Sequence, residues 1–175
     1  WLRRIQLEVG VTTLYVTHDQ EDALSMSDRV VVLRDGRAEQ IGSPELIYES
    51  PESPFVAEFV GKSTQFTGKV AEADGGVVVH SDNKKITLPD SAPSHGTDVT
   101  AYVRPEDVRV SIDPTRSTNE FPGTVLNISN LGNRAEMTIE LTDGKTVLAH
   151  TGRFPNFAVG DNVYIQFDID RVIVL

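Results

Sequence analysis

The chain contains no cysteine. That excludes disulfide staples and thiolate metal ligands, and it suits a reducing compartment. It holds one tryptophan, and aromatic residues make up only 7% of it. Positive charge is short as well: 16 Lys and Arg stand against 26 Asp and Glu, a formal net charge of −10. The deficit is spread along the chain, with 5 basic and 11 acidic side chains in residues 1–61 and 11 and 15 in residues 62–175. A single-stranded nucleic-acid groove needs positive charge and stacking aromatics together, so no nucleic-acid partner is expected. His18, His80, His95 and His150 are scattered without ligand-like spacing, and no metal site is expected. No apolar run approaches the roughly 20 residues that cross a bilayer.

What remains is globular: 39% hydrophobic and 24% charged over 175 residues, enough for one domain or two small ones. The start, Trp1-Leu2-Arg3-Arg4-Ile5, has no initiator Met and places Leu2, Ile5 and Val9 on one helical face, with Gly10 as a stop. It reads as mid-helix, so the chain is expected to be a piece of something longer.

The first sixty residues alternate helix and strand. Val11 to Thr17 is a run of β-formers with apolar residues on both faces, the pattern of a buried parallel strand. Asp19 is placed to cap a helix over roughly residues 20 to 27, with Asp22 completing a capping-box-like pair. Arg29 to Arg34 reads as a second buried strand. Asp35-Gly36 is a hairpin turn, and Arg37 to Ile41 returns. Ser43-Pro44 and Ser53-Pro54 each open a helix, the first with Leu46 and Ile47 as its apolar face, the second with Phe55, Val56, Phe59 and Val60. After Lys62 the texture becomes all-β, with turns expected at Gly75-Gly76, Ser81-Asp82-Asn83, Pro93 to Gly96, Asn130 to Asn133 and Asp143-Gly144.

This β half repeats itself. Phe66-x-Gly68-x-Val70 returns 55 positions later as Phe121-x-Gly123-x-Val125. Gly96, Asp98, Val99, Val103, Val108 and Val110 return 64 positions later as Gly160, Asn162, Val163, Phe167, Val172 and Val174. The expected form is two five-stranded barrels side by side, each closing its own sheet.

Two motifs are decoys. Gly61-Lys62-Ser63-Thr64 looks like the end of a phosphate-binding loop, but the required earlier glycine is Val56, and strands rather than a helix come after it. Val30 to Asp35 resembles a strand ending in a Mg-binding Asp, but Asp35-Gly36 is a turn. His18 is different. It stands where a strand should meet a helix N-terminus, the end of an α/β sheet at which ligands gather. The helix terminus disfavours imidazolium and attracts anions.

The run from Tyr15 through Thr17-His18-Asp19-Gln20-Glu21-Asp22-Ala23 to Arg29 resembles the switch-histidine segment of ATP-binding cassette (ABC) transporter ATPases. The next stretches are similar too: Val30 to Arg37, Gly42-Ser43-Pro44, and Phe55-Val56-Ala57-Glu58-Phe59-Val60-Gly61. Arg104-Pro105-Glu106 and Leu131-Gly132-Asn133 resemble motifs of the transport-associated OB domain found on importer ATPases.

The resemblance implies an α/β remnant of an ABC ATPase domain over residues 1–61, followed over 62–175 by an all-β regulatory domain of two OB-like repeats. It implies that His18 contacts the γ-phosphate and positions the attacking water. ATP and Mg would belong to the intact parent; the P-loop, signature motif and catalytic Glu lie outside this sequence, so no cofactor and no turnover are expected of the chain alone. Implied partners are a second copy in a homodimer, membrane-spanning permease subunits and, indirectly, an external solute-binding protein. The implied place is the cytoplasmic face of the membrane. The alternative is a module binding a small oxyanion or sugar at the junction of the repeats or between two chains, with Arg104, Glu106, Asn133, Arg134 and also Arg153 as the polar candidates.

Overall fold

Three short helices of the first sixty residues begin where a side-chain oxygen takes up an orphan N–H. The structure, a computed structural model, describes residues 2–73, 76–81 and 84–175. Helix α1 (Leu2–Val9) ends at Gly10, whose φ of +69° suits glycine. In α2 (Gln20–Met26), α3 (Pro44–Glu49) and α4 (Pro54–Phe59) the caps are Asp19, Ser43 and Ser53, accepting from the N–H groups of Asp22, Leu46 and Val56. The capping box at Asp19 is not reciprocated. The Asp19 N–H donates instead to Thr17 Oγ1 at 2.9 Å, because Asp22 is one methylene shorter than the Glu or Gln that closes such a box.

The chain divides into two compact units, Trp1–Gly61 and Lys62–Leu175. In the first, β1 (Val30–Arg34) and β2 (Arg37–Gly42) form an antiparallel ribbon. Its turn, Asp35-Gly36, has two positive φ angles, +50° and +78°, as a two-residue hairpin requires. Val32, Ile47, Val56 and Val60 make a small core. Gln40, buried, sews the ribbon to the loop between α3 and α4: Nε2 donates to Ser50 O at 3.1 Å, and Oε1 accepts from Glu52 N at 3.0 Å.

Three expectations fail in this unit. No strand forms over residues 11–17, and Leu14 and Val16 are 90% and 84% exposed. A strand needs a neighbour to take its N–H and C=O groups, and β1–β2 is the unit's one ladder among the described residues. Strand β1 is not buried on both faces: Val32 is enclosed while Val31 and Leu33 lie exposed, because a two-stranded ribbon has one covered side. Leu46 is exposed too; Ile47, with Tyr48 packed beside it, anchors α3.

Among the described residues the second unit has ten strands. The first repeat supplies β3 (Thr64–Ala73), β4 (Gly76–Ser81), β5 (Lys84–Thr87), β6 (Asp98–Val103) and β7 (Arg109–Ser111). The second supplies β8 (Glu120–Asn130), β9 (Arg134–Leu141), β10 (Thr146–Gly152), β11 (Asn162–Gln166) and β12 (Ile173–Val174). The offsets read in the sequence are kept in the register: Phe66 pairs with Ala101 and Gly68 with Val99, and Phe121 pairs with Ile165 and Gly123 with Val163. Gly96 N donates to Val70 O and Gly160 N to Val125 O, both at 2.8 Å, from glycines at φ +86° and +94°. Even the 3-10 turns correspond, Pro105–Asp107 and Ile169–Arg171. Gly123 is glycine for close approach: a Cβ there would lie 2.7 Å from Glu140 O.

The repeats do not close separate barrels. The sheets run β12-β6-β3-β4-β5 and β10-β9-β8-β11-β7, so each repeat gives its last strand to the other's sheet. Val174 pairs with Ala101, and its equivalent Val110 pairs with Ile165. Among the described residues no ladder joins the two ends of either sheet, which leaves each barrel partly open. The exchange works because the 3-10 turn after β6 or β11 carries the chain across to the other sheet. One core results, fed by both repeats, with Phe167 stacked on Phe66 at 5.8 Å and tilted against Phe121 at 6.1 Å. Asp107 and Arg171, equivalent by the 64-residue offset, form an ion pair at 3.8 Å, as groups flanking a pseudo-two-fold axis can. The turns expected at Gly75-Gly76 and Ser81-Asp82-Asn83 fall partly outside the described residues.

Candidate functional site

His18 sits exposed on the turn between the unpaired segment and α2. The turn is set locally: Thr17 Oγ1 accepts from Asp19 N, and Asp19 Oδ1 accepts from Asp22 N at 3.0 Å. Among the described residues no side chain hydrogen-bonds to His18, so its imidazole faces outward. Behind it, Arg3 of α1 holds Asp28, just beyond α2, through Nη1 to Oδ2 at 3.0 Å and a closer Nη2–Oδ1 contact. That bonded guanidinium keeps the Asp28 carboxyl below the usual range, and Asp28 in turn raises Arg3. The pair closes the ends of the loop that carries His18.

The four polar candidates of the β unit do not gather. Arg104 is not a surface arginine: it is 2% exposed, and its Nη1 donates to Lys62 O at 3.3 Å. Glu106 lies on the 3-10 turn Pro105–Asp107 and reaches His150. Asn133 and Arg134 close the β8–β9 hairpin, where Leu131 N donates to Arg134 O at 2.8 Å around Gly132 at φ +91°. Arg134 Nε is buried without a hydrogen-bond partner among the described residues. Arg153 stacks on exposed Phe154 at 5.1 Å.

Glu106 is the one candidate that reaches a charged cluster, whose other members, His150, Glu136 and Lys62, sequence reasoning had not assigned to a site. His150 Nε2 lies 3.4 Å from Glu136 Oε2, and its Nδ1 lies 3.6 Å from Glu106 Oε2. Glu136 also receives Lys62 Nζ on both oxygens, at 2.9 and 3.0 Å. The bonded ammonium of Lys62, and after it His150, hold the Glu136 carboxyl below its ordinary value against the effect of burial. The alternation of β9 marks Glu136 only as an outward residue. Its partnership with His150 appears only when the β9–β10 register is known. Among the described residues no cluster of His, Asp and Glu is arranged to hold a metal.

The same place in the other repeat is open. Ser117 comes 55 positions after Lys62, and Asp168 and Asp170 come 64 after Arg104 and Glu106. By register, Ile86 matches Val147, which sets Pro89 at the place of His150. Pro89, Ser117, Asp168 and Asp170, with Thr87, Asp90, Thr118 and Phe167, line a cavity of about 510 Å³. Asp168 there accepts from Arg109 Nη2 at 2.6 Å. None of the four polar candidates lines it.

The decoy loop is spent on structure. Lys62 is bound to Glu136, and Thr64 Oγ1 accepts the Leu148 N–H at 3.2 Å. Thr64 is matched 55 positions on by Asn119, which makes the corresponding bond to Thr87 N at 2.7 Å.

Comparison with known proteins places this geometry. Residues 101–175 match the TOBE domain family. The spermidine/putrescine import ATP-binding protein PotA of Trichodesmium erythraeum is 39% identical over 165 residues, covering 89% of this chain and 42% of that protein. The sulfate/thiosulfate import ATP-binding protein CysA of Halalkalibacterium halodurans is 37% identical over 149 residues, covering 85% and 40%. The chain thus spans about two fifths of the curated relatives it matches. Among solved structures, the cytoplasmic molybdate-binding protein ModG, crystallised with molybdate, superposes with a TM-score of 0.55 at 21% identity, covering 63% of this chain and 93% of that one. That likeness shows the fold alone, OB-like and mostly β. The chain is related to the ATP-binding subunits of ABC importers and carries their TOBE domain over residues 101–175.

Proposed function

We propose that this chain is the C-terminal portion of the ATP-hydrolysing subunit of an ABC importer. Residues 1–61 contribute the switch histidine, His18, and residues 62–175 a regulatory and dimerising domain. The observation that carries the reading is the sequence similarity to import ATP-binding proteins, which runs through 85% or more of the chain in both PotA and CysA. The exposed apolar run at residues 11–16 agrees with it, since covering those side chains with a sheet would remove apolar surface from water.

Bound ATP with Mg would supply the phosphoryl group and the charge that the site neutralises. The residues present do not by themselves hold it, since Lys62 and Thr64 are committed to Glu136 and Leu148 and phosphate-binding loop residues are not among them. What this chain provides is one outward imidazole on a turn fixed by Thr17 and Asp19. Such an imidazole can donate to a phosphate oxygen or accept from a water. The partners on this reading are permease subunits, a second copy and, through the permease, an external solute-binding protein, at the cytoplasmic face of the membrane. The solute is not read by these residues, because relatives named for polyamines and for sulfate match them alike.

The oxyanion-module reading has less support. Arg104 is buried and bonded to Lys62 O, and the open cavity is lined by Asp90, Asp168 and Asp170, which repel anions.

Phosphate release tests the reading. The 175-residue chain alone releases none above background. In the full-length subunit His18→Ala lowers kcat by at least about tenfold while nucleotide affinity stays within about threefold, as for a group acting in the transition state. Mg-dependent turnover by the chain alone, or equal loss of binding and turnover in the full-length variant, contradicts it.

A further inference from the structure

His150 is placed between two carboxylates that belong to different parts of the β unit. Glu136 lies beside it on β9 of the second repeat, 3.4 Å from Nε2. Glu106 lies on the 3-10 turn Pro105–Asp107 of the first repeat, 3.6 Å from Nδ1. His150 and Glu136 are 16% and 15% exposed, so water has limited access to screen them. A neutral imidazole has one N–H and turns a lone pair to the other side; imidazolium donates on both sides. Only the protonated ring satisfies both carboxylates at once.

We propose that His150 is a proton-operated clasp: protonated, it ties the 3-10 turn of the first repeat to the β9–β10 hairpin of the second, and neutral, it lets one side go. The other charges at the cluster fit this role. Lys62, the first residue of the unit, occupies both oxygens of Glu136, so that protonated His150 and Lys62 bring two cations to two carboxylates. Arg104, at the head of the turn, donates to Lys62 O and couples the turn to the same lysine. Arg134, two residues from Glu136 on the same face of β9, is the remaining cation on that strand. The ring nitrogens face separate carboxylates rather than one point, so the donors do not converge as a metal site requires.

The repeat supplies an internal contrast. At the equivalent place Pro89 replaces His150, Ser117 replaces Lys62, and Asp168 and Asp170 replace Arg104 and Glu106. A clasp cannot form there, and a cavity of about 510 Å³ is present instead. The clasped turn also leads directly into β7, the strand given to the other sheet. Release therefore acts on the exchange that joins the two repeats.

The test uses the 175-residue chain and its thermal midpoint, for wild type and His150→Gln, at about pH 5.5 and about pH 8.5. Gln keeps one donor and stands for the neutral ring. The variant should melt lower by about 2–4 °C at the acidic pH, and the gap should vanish at the alkaline pH. His18, His80 and His95 are present in both proteins and cancel. In a Glu106→Gln background, a change at a partly exposed carboxylate, the pH dependence of the gap should flatten. A gap that is equal at both pH values, absent at both, larger at the alkaline pH, or unaffected by Glu106→Gln overturns the proposal.

Discussion

The two units obey the same local rules and reach different ends. Asp19, Ser43 and Ser53 cap helices in residues 1–61, and glycines at positive φ turn the chain in residues 62–175 as their sequences dictate. In the β unit every strand finds a ladder, because each repeat lends its last strand to the other's sheet, and Phe66, Phe121 and Phe167 meet in one core. In the first unit the most strand-like run in the sequence finds none and lies with Leu14 and Val16 in water. The contrast shows that a strand is a property of its neighbours as much as of its residues. β-branched composition raises the tendency, and only a partner satisfies the backbone.

The largest expected effect comes from cutting the shared core, with the bare run as its contrast. Phe66→Ala should cost about 3–5 kcal/mol in urea unfolding, since the ring is fully buried and both repeats lose contact with it. Leu14→Ala in the same chain should change stability by less than about 0.5 kcal/mol. A large Leu14 effect would show that residues 11–16 have found cover. A second, smaller break lies at Lys84, whose ammonium is buried and paired with Asp143. Burial pushes the Asp143 carboxyl up, but the Lys84 bond and the backbone N–H groups around it prevail and leave it below its usual value. Asp143→Ala, which strands that cation, should cost of order 3 kcal/mol by the same urea measurement.

The smallest expected effect is a pH dependence. Lys62 holds the folded Glu136 value down. A depressed folded value gives stability that is present above the unfolded carboxylate value of about 4.3 and lost as the pH falls through the folded value. Glu136→Gln should therefore lower the melting midpoint at neutral pH, and the difference should close below about pH 4. A difference that persists in acid would remove the Lys62 pair as its cause.

Much of the fold was legible because its signals are local. Asp35-Gly36 could only turn, Ser-Pro could only start a helix, and valines matched 64 positions apart kept one register. The strand exchange was not legible, because Val110 and Val174 look the same whichever sheet receives them; only the crossing of the 3-10 turns decides. His18 stood out through its run of neighbours from Tyr15 to Arg29. His150 and Glu136 did not, since alternation along β9 and β10 marks both as outward, and their meeting with Glu106 depends on a turn from the other repeat. The burial of Arg104 was not legible either: its bond to Lys62 O joins residues 42 positions apart.

Hydrogen exchange over residues 11–16 tests the contrast between the units most directly. In the 175-residue chain, as a monomer, these amides should exchange at nearly the rate of an unfolded peptide while β3, β8 and β9 stay protected. In the full-length subunit the same amides should become protected by at least about a hundredfold, as a strand buried in a sheet does. Protection of residues 11–16 in the monomeric 175-residue chain, with no other polypeptide present, would contradict the reading of this unit as part of a larger sheet.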